Sequence, residues 1–306
     1  MPWLQLIADT QRSSAESIEN ALLKAGAASV TLQEHIPAGA KEDPILEPSL
    51  GETPLWDHAR ITGLFSADCN TEQINGVLSE ALSTLSTSTS TLTPNLRWEQ
   101  LEDKDWEREW MDNYHPIQCG DSLWICPSWQ SPPNPSATNV LLDPGLAFGT
   151  GTHPTTFLCM KWLATQNLNN KTVIDYGCGS GILGIASLLL GAKSAVGIDI
   201  DPQALIATQD NVLRNSLSVE QFPVYLPQEN KTITPADLVL ANILAGPLVE
   251  LADTLLAHLS LNGKICLSGV LVEQADKVIE AYQEYIEFEP IQQKEEWVQL
   301  AGRRIS

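Results

Sequence analysis

The chain has 306 residues, 43% of them hydrophobic and 18% charged, a length of about two domains with enough apolar material for a sizeable core. Its 38 acidic and 17 basic residues give a formal net charge of -21, which argues against a non-specific grip on nucleic acid or on an anionic membrane surface. The longest apolar stretch, Gly181–Ala192, is interrupted by Ser187 and falls short of the ~20 residues of a membrane span.

Trp3–Ala8 is an apolar-rich strand candidate, followed by a helix opened by a capping box at Ser13-Ser14-Ala15-Glu16. Ala15, Ile18, Ala21, Leu22 and Ala25 recur at helical spacing, and Gly26 ends the helix. Ser29–Gln33 is a second strand, and Pro37–Pro54, rich in Pro, Gly and acids, is an exposed loop. The pattern restarts with strand His58–Phe65 and a helix capped by Asn70-x-x-Gln73, carrying Ile74, Val77, Leu78, Ala81 and Leu82. Ser83–Thr93, nearly all Ser and Thr, has little apolar surface to offset its ordering entropy and reads as a mobile loop before strand Leu96–Leu101. The order βαβ-βαβ predicts a ferredoxin-like α+β module over residues 1–102, without a catalytic cluster.

Lys104–Tyr114 reads as a connecting helix within a 103–115 linker, with Trp106 and Trp110 on one face for packing. Ile117–Leu142 holds short strand-like pieces interrupted by Pro132-Pro133-Asn134-Pro135. From His153 to Arg304 strands and helices alternate. Helix Pro154–Gln166 leads to strand Thr172–Asp175, helix Gly181–Leu190, strand Ala195–Asp199 and helix Pro202–Asn215. Strands Pro223–Leu226 and Leu238–Ala241, helix Pro247–Leu259, strand Lys264–Ser268, helix Val272–Tyr285 and a hairpin within Phe288–Ile305 follow. The expected fold is α/β: a doubly wound, seven-stranded Rossmann-like sheet over 116–306, preceded by the small α+β module.

Within that alternation, Val173-Ile174-Asp175-Tyr176-Gly177-Cys178-Gly179-Ser180-Gly181 ends a strand and opens a helix. Glycines there permit a sharp turn and a close approach of backbone to ligand. Asp199, ending the next strand, has the spacing of a carboxylate that accepts from both ribose hydroxyls of an adenosine-bearing cofactor. A dinucleotide calls for G-x-G-x-x-G and a pyrophosphate at the helix N-terminus. Here the glycines run G-x-G-x-G, and Asp175 stands two residues before the first. An anion there repels a pyrophosphate and favours the α-ammonium of a methionine moiety. The Asp-x-Gly-x-Gly-x-Gly pattern resembles the S-adenosylmethionine motif of seven-stranded methyltransferases.

A second cluster runs Asp143-Pro144-Gly145-Leu146-Ala147-Phe148-Gly149-Thr150-Gly151-Thr152-His153-Pro154-Thr155-Thr156. Glycines alternating with small hydroxyl residues suit a loop folded over a ligand, and threonine hydroxyls can donate to a carboxylate. Pro154 starts a helix, so Thr155 and Thr156 lie in its first turn near the positive end of the dipole. His153 orders this loop rather than serving as a base. The third element, Leu238-Val239-Leu240-Ala241-Asn242-Ile243-Leu244, ends a strand with a polar residue that is costly there unless its amide finds partners. Asn242 either accepts from a substrate N–H beside the cofactor's methyl group, as a catalytic residue, or caps the helix begun at Pro247.

The runs Phe148–Thr156, Asp175–Gly181 and Ala241-Asn242-Ile243-Leu244-Ala245-Gly246 resemble the bacterial methyltransferases of large-subunit ribosomal protein eleven, as do Trp106-Glu107-Arg108-Glu109-Trp110 and Lys294-Glu295-Glu296-Trp297. The resemblance covers essentially the whole chain and is strongest after Asp143. It implies an S-adenosyl-L-methionine-dependent protein N-methyltransferase acting on lysine side chains and the N-terminal amine of that ribosomal protein. It also implies that the N-terminal module grips the substrate and that the connecting helix acts as a hinge. Thr156, Gly177, Asp199 and Asn242 match the family's cofactor-contacting positions, and Asp175 and Gly179 join them through the glycine motif. Departures lie in the loops Pro37–Pro54 and Ser83–Thr93, and in Asn242-Ile243-Leu244 where many amino-methyltransferases carry Asn-Pro-Pro-aromatic.

The expected partner is a basic ribosomal protein, without direct nucleic-acid or membrane binding. Six cysteines without a C-x-x-C pair, and an N-terminus lacking a basic segment followed by an apolar one, point to a cytoplasmic, metal-free protein. Two competing functions remain: a nicotinamide-dependent oxidoreductase, and a non-enzymatic protein-binding adaptor.

Overall fold

The computed structural model describes residues 3–37, 56–85, 95–101, 114–143, 151–229 and 234–306. The chain divides into two compact units, Met1–Met111 and Asp112–Ser306. Most of the loop Pro37–Pro54, the Ser/Thr stretch from 86 on, the connecting helix to residue 113 and the loop 144–150 lie outside the described residues.

The first unit runs β1 (Trp3–Gln11), α1 (Arg12–Lys24), β2 (Ser29–Glu34), β3 (His58–Ser66), α2 (Thr71–Leu85) and β4 (Asn95–Leu101). Its strands form one antiparallel sheet in the order β2-β3-β1-β4. Leu6 and Ala8 of β1 and Ile61 and Phe65 of β3, at alternate positions, share a core with Ala15, Ile18 and Leu22 of α1 and Ile74 and Leu78 of α2. β1 outruns its expected end at Ala8 because all nine of its residues pair with β3. The chain therefore enters α1 straight from the sheet: Gln11 is the N-cap without a side-chain bond, Ser14 is buried, and the capping box expected at Ser13–Glu16 does not form. Asn70 does cap α2, its Oδ1 accepting from Gln73 N at 3.1 Å.

The second unit opens with a three-stranded sheet of β5 (Ile117–Gln118), β6 (Leu123–Cys126) and β7 (Thr138–Leu141). The main sheet is built from β8 (Thr172–Tyr176), β9 (Ser194–Ile198), β10 (Val224–Tyr225), β11 (Ala236–Asn242), β12 (Leu259–Leu271), β13 (Ile286–Phe288), β14 (Gln292–Lys294) and β15 (Trp297–Arg304). Its helices are α3 (Pro154–Leu163), α4 (Ile182–Leu189), α5 (Pro202–Arg214), α6 (Ala245–Glu250), α7 (Ala252–Ala257) and α8 (Ala275–Tyr282). The strand order is β10-β9-β8-β11-β12-β15-β13, with β14 also on β15; the first five are parallel and β15 runs against them. Both faces are covered. Val173, Leu238, Leu240 and Cys266 enter one core, and their neighbours Ile174, Val239, Ala241, Ile265 and Leu267 enter another.

The sheet has eight strands rather than seven because its outer position is split: β13 pairs with residues 302–304 of β15 and β14 with residues 297–299. Pro290 lies between them and has no N–H to continue the ladder. The helix expected at Pro247–Leu259 is two short ones, α6 starting at Ala245 so that Pro247 falls in the first turn, where a missing N–H costs nothing. After β12, a 3-10 turn at Val272–Gln274 precedes α8, which ends at Tyr282. Among the described residues no helix is long and apolar enough to cross a membrane.

Candidate functional site

Strand order places a switch point between β8 and β11, where the chain continues outward through β9 on one side and β12 on the other. Such a reversal opens a crevice at the carboxyl ends of the strands. Register brings the candidate residues to one level. Tyr176 of β8 pairs with Ile198 of β9 and Ala241 of β11, so Gly177, Asp199 and Asn242 leave three adjacent strands side by side. Asn242 pairs in turn with Ser268 of β12.

Gly177, Gly179 and Gly181 all take positive φ, 73°, 54° and 77°, conformations that a Cβ disfavours. At Gly177 a Cβ would also lie 2.2 Å from Cγ2 of Ile243. Asp199 closes the turn: its Oδ2 accepts from Gly179 N at 2.8 Å and its Oδ1 from Asp201 N at 3.0 Å. Each oxygen keeps a further lone pair, and the side chain is partly exposed.

Asp175 is placed differently. It is 1% exposed, and its Oδ2 accepts from Gly184 N at 2.9 Å in the first turn of α4. Burial pushes its carboxyl up to about 7, against the pull of the Gly184 hydrogen bond and with a smaller push from the Asp199 charge. Asp175 therefore anchors α4 from the interior, and Asp199 is the accessible carboxylate of the pair. Amides that hold a pyrophosphate in dinucleotide folds are here taken by carboxylates, Gly184 N by Asp175 and Gly179 N by Asp199. Cys178, within the same turn, is buried, and burial raises its thiol so that it stays protonated and unreactive.

On the other side, His153 is the N-cap of α3. Its Nδ1 accepts from Thr155 N at 3.4 Å and lies 2.8 Å from Thr155 Oγ1, so it caps the helix; most of the loop it is expected to order lies outside the described residues. Thr156, fully buried in the same turn, accepts from Asn242 Nδ2 at 3.3 Å. Asn242 Oδ1 is buried and has no hydrogen-bond partner among the described residues. Leaving such an acceptor unpaired costs about 1–3 kcal/mol. The capping alternative for Asn242 fails: the N-cap of α6 is Leu244, and no side chain caps the helix.

Sequence reasoning missed three supports. Thr208 and Asn211 of α5 are buried and hold the glycine turn, Thr208 Oγ1 donating to Gly179 O at 2.9 Å and Asn211 Nδ2 to Ser180 O at 2.8 Å. Two polar residues three apart on a helix face shared with Ala204 and Val212 were the available signal. Gly269 of β12 gave none. Its φ is +85°, and a Cβ there would lie 2.2 Å from the carbonyl oxygen of Ile243, an approach that only tertiary packing creates.

The family model described as Ribosomal protein L11 methyltransferase (PrmA) matches residues 2–305. A ribosomal protein L11 methyltransferase of Saccharophagus degradans is 57% identical over 306 residues, covering 99% of both chains. One of Cellvibrio japonicus is 57% identical over 302 residues, covering 99% of this chain and 98% of its own. Among solved structures, a ribosomal protein L11 methylase from Lactobacillus delbrueckii subsp. bulgaricus aligns with a TM-score of 0.56 at 33% identity, over 63% of this chain and 100% of its own. Matched by that model over residues 2–305 and 57% identical to a relative over 99% of its length, the chain belongs to the ribosomal protein L11 methyltransferase family.

Proposed function

We propose that this chain transfers methyl groups from S-adenosyl-L-methionine to lysine side chains and the N-terminal amine of ribosomal protein L11. Methyl transfer to that protein is the activity of the family, which sets the oxidoreductase and adaptor functions aside. Asn242 carries the assignment of the reacting centre: a neutral amide at the carboxyl end of β11, tethered by Thr156, with a buried and unpaired carbonyl oxygen.

The residues present fit the donor. The spare lone pairs of Asp199 suit a ribose diol, Gly177 and Gly179 let the backbone approach closely, and Thr156 and Asn242 stand across the switch point from them. Occupied amides at the start of α4 disfavour a pyrophosphate. When bound, S-adenosylmethionine supplies a sulfonium-borne methyl group open to in-line displacement by an unprotonated amine. Neutralising a lysine of pKa about 10.4 at pH 7 costs roughly 4–5 kcal/mol. Asn242 Oδ1 can accept from that amine and orient it without fixing its charge, whereas a carboxylate would hold the ammonium. Thr156 keeps the amide pointing that way by taking its N–H.

In the first unit, two helices share a core with a sheet ordered β2-β3-β1-β4, which supports the reading of a ferredoxin-like module. We assign it, as residues 1–102, to recognition of L11, with 103–115 as linker and 116–306 as the catalytic domain. A labelled-methyl assay on L11, with mass spectrometry of the acceptor, tests the whole reading. Asn242→Ala should lower turnover about 100-fold through misplacement of the amine, with a far smaller change in donor affinity by calorimetry. Intact turnover with weakened donor binding would make the amide a donor ligand only.

A further inference from the structure

His153 holds the first turn of α3 through an acceptor nitrogen. In the capping tautomer, in which Nδ1 accepts from Thr155 N–H, the neutral ring bears its hydrogen on Nε2. The ring is held edge-on to Trp297, with centroids 5.0 Å apart, and Trp297 is itself buried. Thr156, which fixes the Asn242 amide, belongs to the same capped turn. Protonation would convert Nδ1 to a donor. It could still reach Thr155 Oγ1, but Thr155 N–H would lose its acceptor, and a positive charge would sit at the positive end of the helix dipole.

We propose that neutral His153 is a positioning residue for the donor site: by capping α3 it sets Thr156 against Asn242, and its protonation loosens that pair and weakens S-adenosylmethionine binding in mild acid. This rests on the reading of Thr156 and Asn242 as donor-site residues. Among the described residues, the charged groups acting on the ring are Glu296 and Glu295, in the turn between β14 and β15, and both favour protonation. Lys294 beside them is paired with Glu295, Nζ to Oε1 at 3.3 Å, and α3 carries no acidic residue in its first turn. Burial opposes the two glutamates and prevails, holding the imidazole below its ordinary value of 6.5. The cap is therefore complete at neutral pH and is lost as the pH falls below that value.

Calorimetric titration with S-adenosylmethionine between about pH 7.5 and about pH 5.5 tests this. His153→Asn keeps an acceptor for Thr155 N–H and does not titrate, so wild-type affinity should fall about five-fold more than that of His153→Asn, the size of a lost helix cap. His153→Ala should bind about five-fold more weakly than wild type at the upper pH, and the two should converge at the lower, where the wild-type cap is lost. Equal acid falls in wild type and His153→Asn would place the titration elsewhere, at Asp175 for instance, and overturn the inference. So would a wild-type affinity that is flat across the range, or a His153→Ala protein that binds as wild type does. Thr156→Val separates the two levels. If it binds the donor normally, the reading of Thr156 as a donor-site residue fails; if it weakens binding while the His153 variants do not, only the role of His153 falls.

Discussion

A carboxyl group shut away from water beside a helix start has opposite consequences for structure and for charge. Asp175 completes the first turn of α4 through Gly184, yet its ionisation is opposed by burial and by Asp199. The group titrates near 3.8 when unfolded and at about 7 when folded. The folded state is therefore progressively destabilised as the pH rises between those values, and the full penalty is reached above them. Asp175→Asn keeps an acceptor for Gly184 N–H and removes the charge. It should raise the melting temperature more at about pH 8 than at about pH 5 in thermal unfolding; a larger gain at the acid end would mean that the carboxylate is stabilised by a partner. The motif placed Asp175 correctly in the chain, but which way its side chain faces depended on where α4 begins.

Among the elements, α5 does more than cover the sheet. Thr208 and Asn211 clamp the carbonyls of Gly179 and Ser180, and Asn215 at its end bonds both the N–H and the carbonyl of Leu141 in β7. One helix thus ties the glycine turn to the small three-stranded sheet. Thr208→Val preserves shape and deletes the donor to Gly179 O, so it should cost about 1–3 kcal/mol in denaturant unfolding. Donor affinity should fall with it, while the KM for L11 stays near its wild-type value. A variant as stable as wild type would show that the Gly179 carbonyl finds another partner. Helices and strands of the second unit were legible from their periodicity, but their ends were not. Pro247 looked like a helix start and lies inside a first turn, and Pro290 split an edge strand into two.

For the molecule as a whole the dominant physical fact is its net charge of -21. On the four-stranded sheet Arg60 and Arg97 are ion-paired, lying 2.6 and 2.8 Å from Asp9, which holds that carboxyl below its usual range, and Arg97 also lies 2.8 Å from Glu99. A basic substrate would be drawn by such a field, and salt would screen the attraction over a Debye length of about 8–10 Å. Methylation of L11 should therefore show a KM that rises several-fold from low to moderate salt, while S-adenosylmethionine affinity measured alongside changes little. A salt-independent KM would leave solubility as the role of the charge.

The sequence by itself determined the alternation of strands and helices, the glycine turn, its spaced acid and the family, because these depend on residue types at short separations along the chain. Tertiary structure alone decided the rest. Asp175 is buried while Asp199 is accessible; the Asn242 amide meets Thr156 rather than a helix terminus; Gly269 is needed where β12 passes Ile243. Each depends on contact between segments distant in the chain, and desolvation and close packing act on those contacts without leaving a periodic trace in the residues that make them.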